Sequence, residues 1–251
     1  LAGEKTRLLK RALIDLLLLL VVLSFMVPAA SATITVEHLD SDSEMYDLIE
    51  NEAFTAHAWI ANNDVSTGGG RYGGGNHELK LCGGDNENDG DTADYCWGSG
   101  KTEPFILSYD QNSGNVTFEI CEKTLSYTLP SDESFTDLFI RGNAKGNSRI
   151  HIENLNLNGQ EVGRNIAFEG DNPEVDILWI KNIDPCLRNG FTLEGNLTMS
   201  WTDTAPPEGE HLSMKIKAAT IKSQDIPEFS TIAVPVIAVL GLIGVFGRRR
   251  N

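Results

Sequence analysis

The stretch Phe191-Thr192-Leu193-Glu194-Gly195-Asn196-Leu197-Thr198-Met199-Ser200-Trp201-Thr202 decides the fold class. Phe191, Leu193, Gly195, Leu197, Met199 and Trp201 share one side of an extended chain; Thr192, Glu194, Asn196, Thr198, Ser200 and Thr202 share the other. A strict two-residue period over this length is the mark of a half-buried strand and is incompatible with a helical stripe. The period recurs in both directions along the chain. Val116, Phe118 and Ile120 alternate with Asn115, Thr117 and Glu119, and Leu212, Met214, Ile216 and Ala218 alternate with Ser213, Lys215 and Lys217. Phe105-Leu107-Tyr109, Leu125-Tyr127-Leu129 and Ile150-Ile152 add three more such sets. Val175–Ile180 is apolar on both sides apart from Asp176, as a strand covered on both faces must be. Asn112-Ser113-Gly114 reads as a hairpin turn between two alternating runs, and Asn158-Gly159 as the turn after Leu155–Leu157. One helix is predicted over about Ser43–Ala53, with Ser41, Asp42 or Ser43 as its cap. The expected architecture is all-β: a single sandwich of jelly-roll type with about nine or ten strands and one short helix, flanked by terminal hydrophobic helices.

The 251 residues carry 36 acidic and 20 basic side chains, a formal net of −16. The two ends are the exceptions, with Lys5, Arg7, Lys10 and Arg11 against Glu4 and Asp15 at one and Arg248, Arg249 and Arg250 at the other. Without these, 13 basic and 34 acidic residues remain, so the body carries −21. A body this acidic repels phosphate backbones, which excludes nucleic acid as a partner.

Both ends read as addresses. Lys5–Arg11 is a positive region, Ala12–Val27 an apolar one, and Ala30-Ser31-Ala32 a small-residue cleavage site, so residues 1–32 form a secretory signal peptide with Ala30 and Ala32 at the cut. An uncleaved anchor is the competing reading, but the apolar run is short for a bilayer and Asp15 interrupts its start. Leu1 stands where an initiator Met would, so the true start is expected either to precede it or to use another codon. At the other end, residues 221–226 form a linker to Pro227-Glu228-Phe229, followed by the apolar run Thr231–Gly247 and three arginines. Positive charge beyond the run holds the extreme end in the cytoplasm and leaves the body outside.

This tail, residues 227–251, resembles the PEF-CTERM sorting signal of archaeal surface proteins, with Pro227, Glu228 and Phe229 as the tripeptide. The resemblance implies recognition by a membrane archaeosortase, cutting near the tripeptide, and transfer of the body to a lipid or other anchor. An ordinary C-terminal transmembrane anchor is the alternative, and it leads to the same surface location. Between the ends, residues 33–220 contain Phe105–Asp110, Asp137–Arg141, Asn154–Gly159 and Thr198–Trp201. Their combination resembles the choice-of-anchor ectodomains of prokaryotes, nearest the W type, which implies a surface domain with no catalytic residues to transfer.

The cysteines, Cys82, Cys96, Cys121 and Cys186, are an even set in an exported chain, which predicts two disulfides. Cys82–Cys96 is the expected pair because it closes the acidic loop between them, leaving Cys121 to Cys186. Asp85, Glu87, Asp89 and Asp91 alternate through that loop with Gly90 at its sixth position, the front half of a calcium-binding loop, and Asp94 is available as a further carboxylate. The bidentate Glu is missing at position twelve, so a solvated acidic loop is an equal reading; Ca²⁺ is the one candidate ion, and no cofactor is required. The loop Gly68–Gly75 carries Tyr72, which with Tyr95 and Trp97 would make an aromatic rim for a sugar ring; a plain surface loop is the competing reading. Asn115-Val116-Thr117 and Asn196-Leu197-Thr198 are glycosylation sequons, with Asn115 and Asn196 on the polar sides of their strands.

No H-E-x-x-H or G-x-S-x-G motif is present, and the five histidines are scattered. The expectation is therefore an exported, surface-anchored, non-enzymatic protein of the cell envelope, structural, adhesive or engaged in contact. Its expected partners are signal peptidase, an archaeosortase and the membrane. A carbohydrate-binding module, with surface glycans as partners, is the alternative, and a surface hydrolase a distant third.

Overall fold

A computed structural model describes residues 34–60, 71–73, 77–84, 89–130, 133, 135–170, 175–181, 190–207 and 211–222. The predicted signal peptide with Ala30 and Ala32, the sorting tail with Pro227, Glu228 and Phe229, and both terminal hydrophobic helices lie outside these residues. Among the described residues no helix is long and apolar enough to cross a membrane.

The chain begins with β1 (Thr35–Leu39), α1 (Asp42–Leu48) and β2 (Ile49–Trp59). Four short strands follow, β3 (Arg71–Gly73), β4 (Leu79–Gly83), β5 (Gly90–Ala93) and β6 (Cys96–Gly98), and then the meander β7 (Lys101–Asp110), β8 (Asn115–Ile120) and β9 (Lys123–Thr128). Next come β10 (Asp137–Ala144), β11 (Ser148–Leu157), β12 (Gln160–Glu161) and β13 (Ile166–Glu169). The last strands are β14 (Val175–Lys181), β15 (Phe191–Trp201) and β16 (Leu212–Ile221). They form two antiparallel sheets of seven strands. The first runs β1-β14-β10-β16-β2-β4-β5 and the second β12-β11-β15-β7-β8-β9, with β13 also on β11; β3 and β6 make a separate two-stranded ribbon. From β9 onward the chain passes between the sheets, with β10, β14 and β16 in the first and β9, β11, β12, β13 and β15 in the second.

β15 behaves as its pattern requires. Its alternate side chains are buried from Phe191 to Trp201, and it runs in register with β7 on one side and β11 on the other. At Gly195 an added Cβ would lie 2.7 Å from the Phe105 ring, so the missing side chain is the space its register partner fills. Asn158-Gly159 closes the β11–β12 hairpin with φ of 53° and 81° at its two central residues. Positive φ at both positions is what a type I′ turn needs and what Asn-Gly tolerates. The β7–β8 hairpin also forms, with Gly114 at φ 68°.

Three expectations need correction. There are sixteen strands among the described residues, fourteen of them in the two large sheets, because short edge strands and the β3–β6 ribbon carry too few residues to show a period. The helix is shorter than predicted. Ser41 caps it by accepting from the Glu44 N–H at 3.2 Å, but it ends at Leu48, where Ile49 turns extended and joins β2. Pairing of this part of β2 with β16 outweighs local propensity there. Finally, the polar side of β16 is not a solvent face, since Ser213 and Lys217 are buried.

That last correction follows from a second core. The main core fills the space between the sheets. On the outer face of the first sheet, Met45 of α1 packs with Leu39, Phe139, Ile177, Trp179 and Ala219. β14 thus has Leu178 and Ile180 in one core and Ile177 and Trp179 in the other, which accounts for its apolar sequence on both sides. Asp137, fully buried at the edge of this layer, accepts the Trp179 indole N–H at 2.9 Å.

Candidate functional site

Beside the second core the outer face of the first sheet turns polar, and its strand register sets out the groups in rows. Arg141 of β10 stands opposite Lys215 of β16, Lys215 opposite His57 of β2, and His57 opposite Lys80 of β4. The neighbouring row holds Phe139, Lys217, Thr55 and Cys82. In a protein with a net of −16, three cations in one row, Arg141, Lys215 and Lys80, are a local concentration of positive charge.

Arg141 and Lys217 are held by carboxylates. Arg141 grips Asp42, in the first turn of α1, through two bonds of 2.5 and 2.7 Å, which ties the helix to the sheet. Lys217 is paired with Glu52, and the Thr55 hydroxyl donates to the same carboxylate. Both partners of that pair are buried, with side-chain exposures of 8% for Glu52 and 9% for Lys217. Above it the Tyr46 ring lies 5.6 Å from the ammonium.

His57 sits between these groups with its ring stacked on Trp59, centroids 4.0 Å apart. It is buried, and its Nε2 has no hydrogen-bond partner. Burial, then the positive charges of Lys215, Arg141, Lys217 and Lys80, hold its pKa well below the usual imidazole value, so the ring is neutral. A cavity of about 80 Å³ opens among Glu52, Thr55, His57, Trp59, Lys80, Cys82, Gly84, Lys215 and Lys217. The sequence reading passed over this site, because cross-strand register rather than spacing assembles it. The one local signal was the alternation of Phe54, Ala56, Ala58 and Ile60 with Thr55, His57 and Trp59.

The aromatic residues expected to form a sugar-binding rim do come together, but Trp97 faces inward while Tyr72 and Tyr95 are half-buried. Tyr72 and Trp97 are register partners in the β3–β6 ribbon, which packs against one end of the sandwich. Trp97 is 1% exposed and donates from Nε1 to the Trp59 carbonyl at 2.8 Å, so its ring is core and cannot stack on a ligand. Tyr72 sets its edge against Trp201 and donates to the Thr204 carbonyl. Tyr95 meets Trp97 edge-on and donates to Glu103, while its hydroxyl oxygen accepts from Lys101 at 3.0 Å. Burial, then the bond to Glu103, pushes the phenol pKa upward.

In the acidic loop Asp85 and Glu87 lie outside the described residues. Of the rest, Asp91 accepts the backbone N–H groups of Thr92 and Ser126, each at 3.0 Å, and Asp94 accepts that of His77 at 3.0 Å. Asp89 lends its carbonyl to Gly83. Among the described residues no group of three or more His, Cys, Asp or Glu could hold a metal ion.

No disulfide joins Cys82, Cys96 and Cys121 to one another. The expected Cys82–Cys96 bridge is prevented by register. Cys82 faces Gly90 at one end of the β4–β5 ladder, whereas the chain leaves the other end, at Ala93, to reach Cys96 in a different ribbon. Cys186 lies outside the described residues. Cys121 is buried in the β8–β9 turn, where burial raises its pKa. Asn115 and Asn196 both occupy the outer face of the second sheet, opposite in sense to the buried Val116 and Leu197.

A two-sheet sandwich followed by an apolar, arginine-ended tail defines a class: exported proteins held at the cell surface by a C-terminal sorting signal. The tail specifies the kind, since residues 226–250 match the PEF-CTERM archaeal protein sorting domain. That domain implies processing by an archaeosortase and membrane anchoring at the surface. The match is confined to the tail and lends no support to the resemblance of the ectodomain to choice-of-anchor domains. No curated protein matches the chain.

Proposed function

We propose that this protein is a non-enzymatic component of an archaeal cell envelope, whose sandwich is displayed outside the membrane in a structural, adhesive or contact role. The observation that carries this is the sorting domain at residues 226–250 joined to a body made of one continuous sandwich. The jelly-roll reading is supported by pairing order. Eight strands interleave as β2-β16-β10-β14 in one sheet and β7-β15-β11-β13 in the other, an arrangement of two Greek keys. Intact-mass analysis of the native protein, with protease shaving of whole cells, tests the surface role. The expected result is loss of residues 1–32 and of the tail beyond Phe229, with the body cleaved from outside. A cytoplasmic protein retaining Arg248–Arg250 would refute it. Turnover of any polysaccharide or peptide by the purified protein would refute the non-enzymatic part. A carbohydrate-binding role retains Tyr72 and Tyr95 but loses Trp97 to the core, so a glycan screen is expected to be negative.

A further inference from the structure

We infer that Asn115 and Asn196 each carry an N-linked glycan, which makes the outer face of the second sheet a glycan-bearing face. They begin Asn115-Val116-Thr117 and Asn196-Leu197-Thr198, the two Asn-x-Ser/Thr stretches of the sequence. Both stretches lie in strands, β8 and β15, where a step of two residues keeps to one side. Each Asn therefore shares a face with its Thr, while Val116 and Leu197 between them are buried in the core. Register places both sites against one strand, with Asn115 opposite Asp110 of β7 and Asn196 opposite Pro104. They are thus about 20 Å apart along β7 and about 10 Å apart across it, room for two glycans to stand side by side.

The face is open. No outward side chain of β7, β8, β9 or β15 is buried, and Thr102, Pro104, Glu119 and Glu194 are exposed. On the outer face of the first sheet, by contrast, His57, Ser213 and Lys217 are buried. Neither the Asn115 nor the Asn196 amide group hydrogen-bonds with another described side chain or backbone group, so a sugar on Nδ2 breaks no contact among them. Asn158 and Asn147 differ: the first accepts the Thr192 N–H at 2.8 Å and the second donates to Asp203 at 3.1 Å. The donor would be a lipid-phosphate-linked oligosaccharide outside the membrane, so the assignment rests on the surface role proposed above. Asn Nδ2 gains a bond to C1 of the first sugar, the bond from C1 to the phosphate oxygen breaks, and the Nδ2 proton leaves with the lipid phosphate. In the finished sheet the sequon hydroxyls are engaged, Thr198 with Thr102 and Thr117 with Ser108, each at 2.7 Å. A transferase that reads the hydroxyl needs it free, so transfer precedes the pairing of β7 with β8 and β15.

The protein as its own cells make it provides the test, captured from intact cells with a membrane-impermeant biotin reagent. Trypsin separates the two sites onto peptides 102–123 and 189–215, and electron-transfer fragmentation locates the modified residue. Each peptide is expected to be heavier by whole monosaccharide units, attached at Asn115 and at Asn196. Asn196→Gln is expected to lose the glycan from its own peptide and keep the one at Asn115, and Asn115→Gln the reverse. Thr198→Val leaves Asn196 in place and is expected to abolish its modification, whereas Thr198→Ser is expected to retain it. Mere exposure of the amide would not give that pattern. The peptide masses of the wild-type chain decide alone should a variant fail to reach the surface. Protein missing from the surface fraction would overturn both this assignment and the surface role. Surface protein with either peptide found solely at its unmodified mass would overturn the glycosylation alone, as would sugar on Thr117 or Thr198 in place of Asn.

Discussion

The Glu52–Lys217 pair provides the sharpest test of how the outer face of the first sheet is held. Each partner alone, as Glu52→Gln or Lys217→Met, leaves the other buried without its counter-charge, and the two side chains are only 8% and 9% exposed. Breaking a buried pair from one side costs about 3–5 kcal/mol, whereas replacing both partners with apolar groups of similar volume is often close to neutral. The surroundings add an asymmetry. Among the described residues that line the cavity Glu52 is the one carboxylate, and its loss strips the buried Lys217 of its counter-charge with Lys80 close by. Lys217→Met leaves Glu52 with two lysines nearby. Glu52→Gln is therefore expected near the upper end, at about 5 kcal/mol, and Lys217→Met near the lower, at about 3 kcal/mol. The double variant Glu52→Leu with Lys217→Met is expected to cost about 1–2 kcal/mol, so the two sites couple by several kcal/mol. Urea unfolding at pH 7 and fixed ionic strength, with ΔG from the midpoint and slope, measures all three. Single-variant costs that simply add in the double, or a costlier Lys217→Met, would show that the pair is not the buried unit described.

Acid should expose His57. It is neutral in the fold, with a pKa held below its unfolded value of about 6.5, so the unfolded chain gains a proton first. Its contribution is fully present above about pH 6.5 and lost as pH falls towards the folded pKa, at up to about 1.4 kcal/mol per unit. His57→Gln should remove that slope from stability measured between pH 7 and 5; identical slopes would exclude His57 as its source. Gly195→Ala forces a methyl to within 2.7–2.9 Å of Phe105 and Leu155, and should cost about 1–3 kcal/mol by overpacking; a neutral outcome in thermal unfolding would mean that Phe105 swings aside freely. Glu122 lies at φ 61° in the two-residue β8–β9 turn, so Glu122→Gly should stabilise by about 1 kcal/mol, against the usual sign for glycine; a lower denaturation midpoint would contradict the turn geometry.

Residue order by itself determined the class of fold, because a two-residue hydrophobic period is a one-dimensional property. Phe191–Trp201, Val116–Ile120 and Asn158-Gly159 read correctly since each answers to local geometry alone. The address at the C-terminus was legible for a related reason: a tripeptide, an apolar run and an arginine cluster are recognised as a linear string. The limits appeared wherever long-range pairing chose between local options. Ile49–Ala53 continues a helical pattern until β16 offers it a ladder. Cys82 and Cys96 look like a loop-closing pair until register sets Cys82 at one end of the β4–β5 ladder and Cys96 beyond the other, in a separate ribbon. Trp97 looks like a loop aromatic until the ribbon of β3 and β6 turns it inward. The row Arg141, Lys215, His57 and Lys80 is drawn from four segments as far as 158 residues apart in numbering (His57 to Lys215), and nothing local marks it. Spacing along the chain cannot encode which strands become neighbours. Only the closing of the sheet places these charges side by side, and with them the buried imidazole and the cavity.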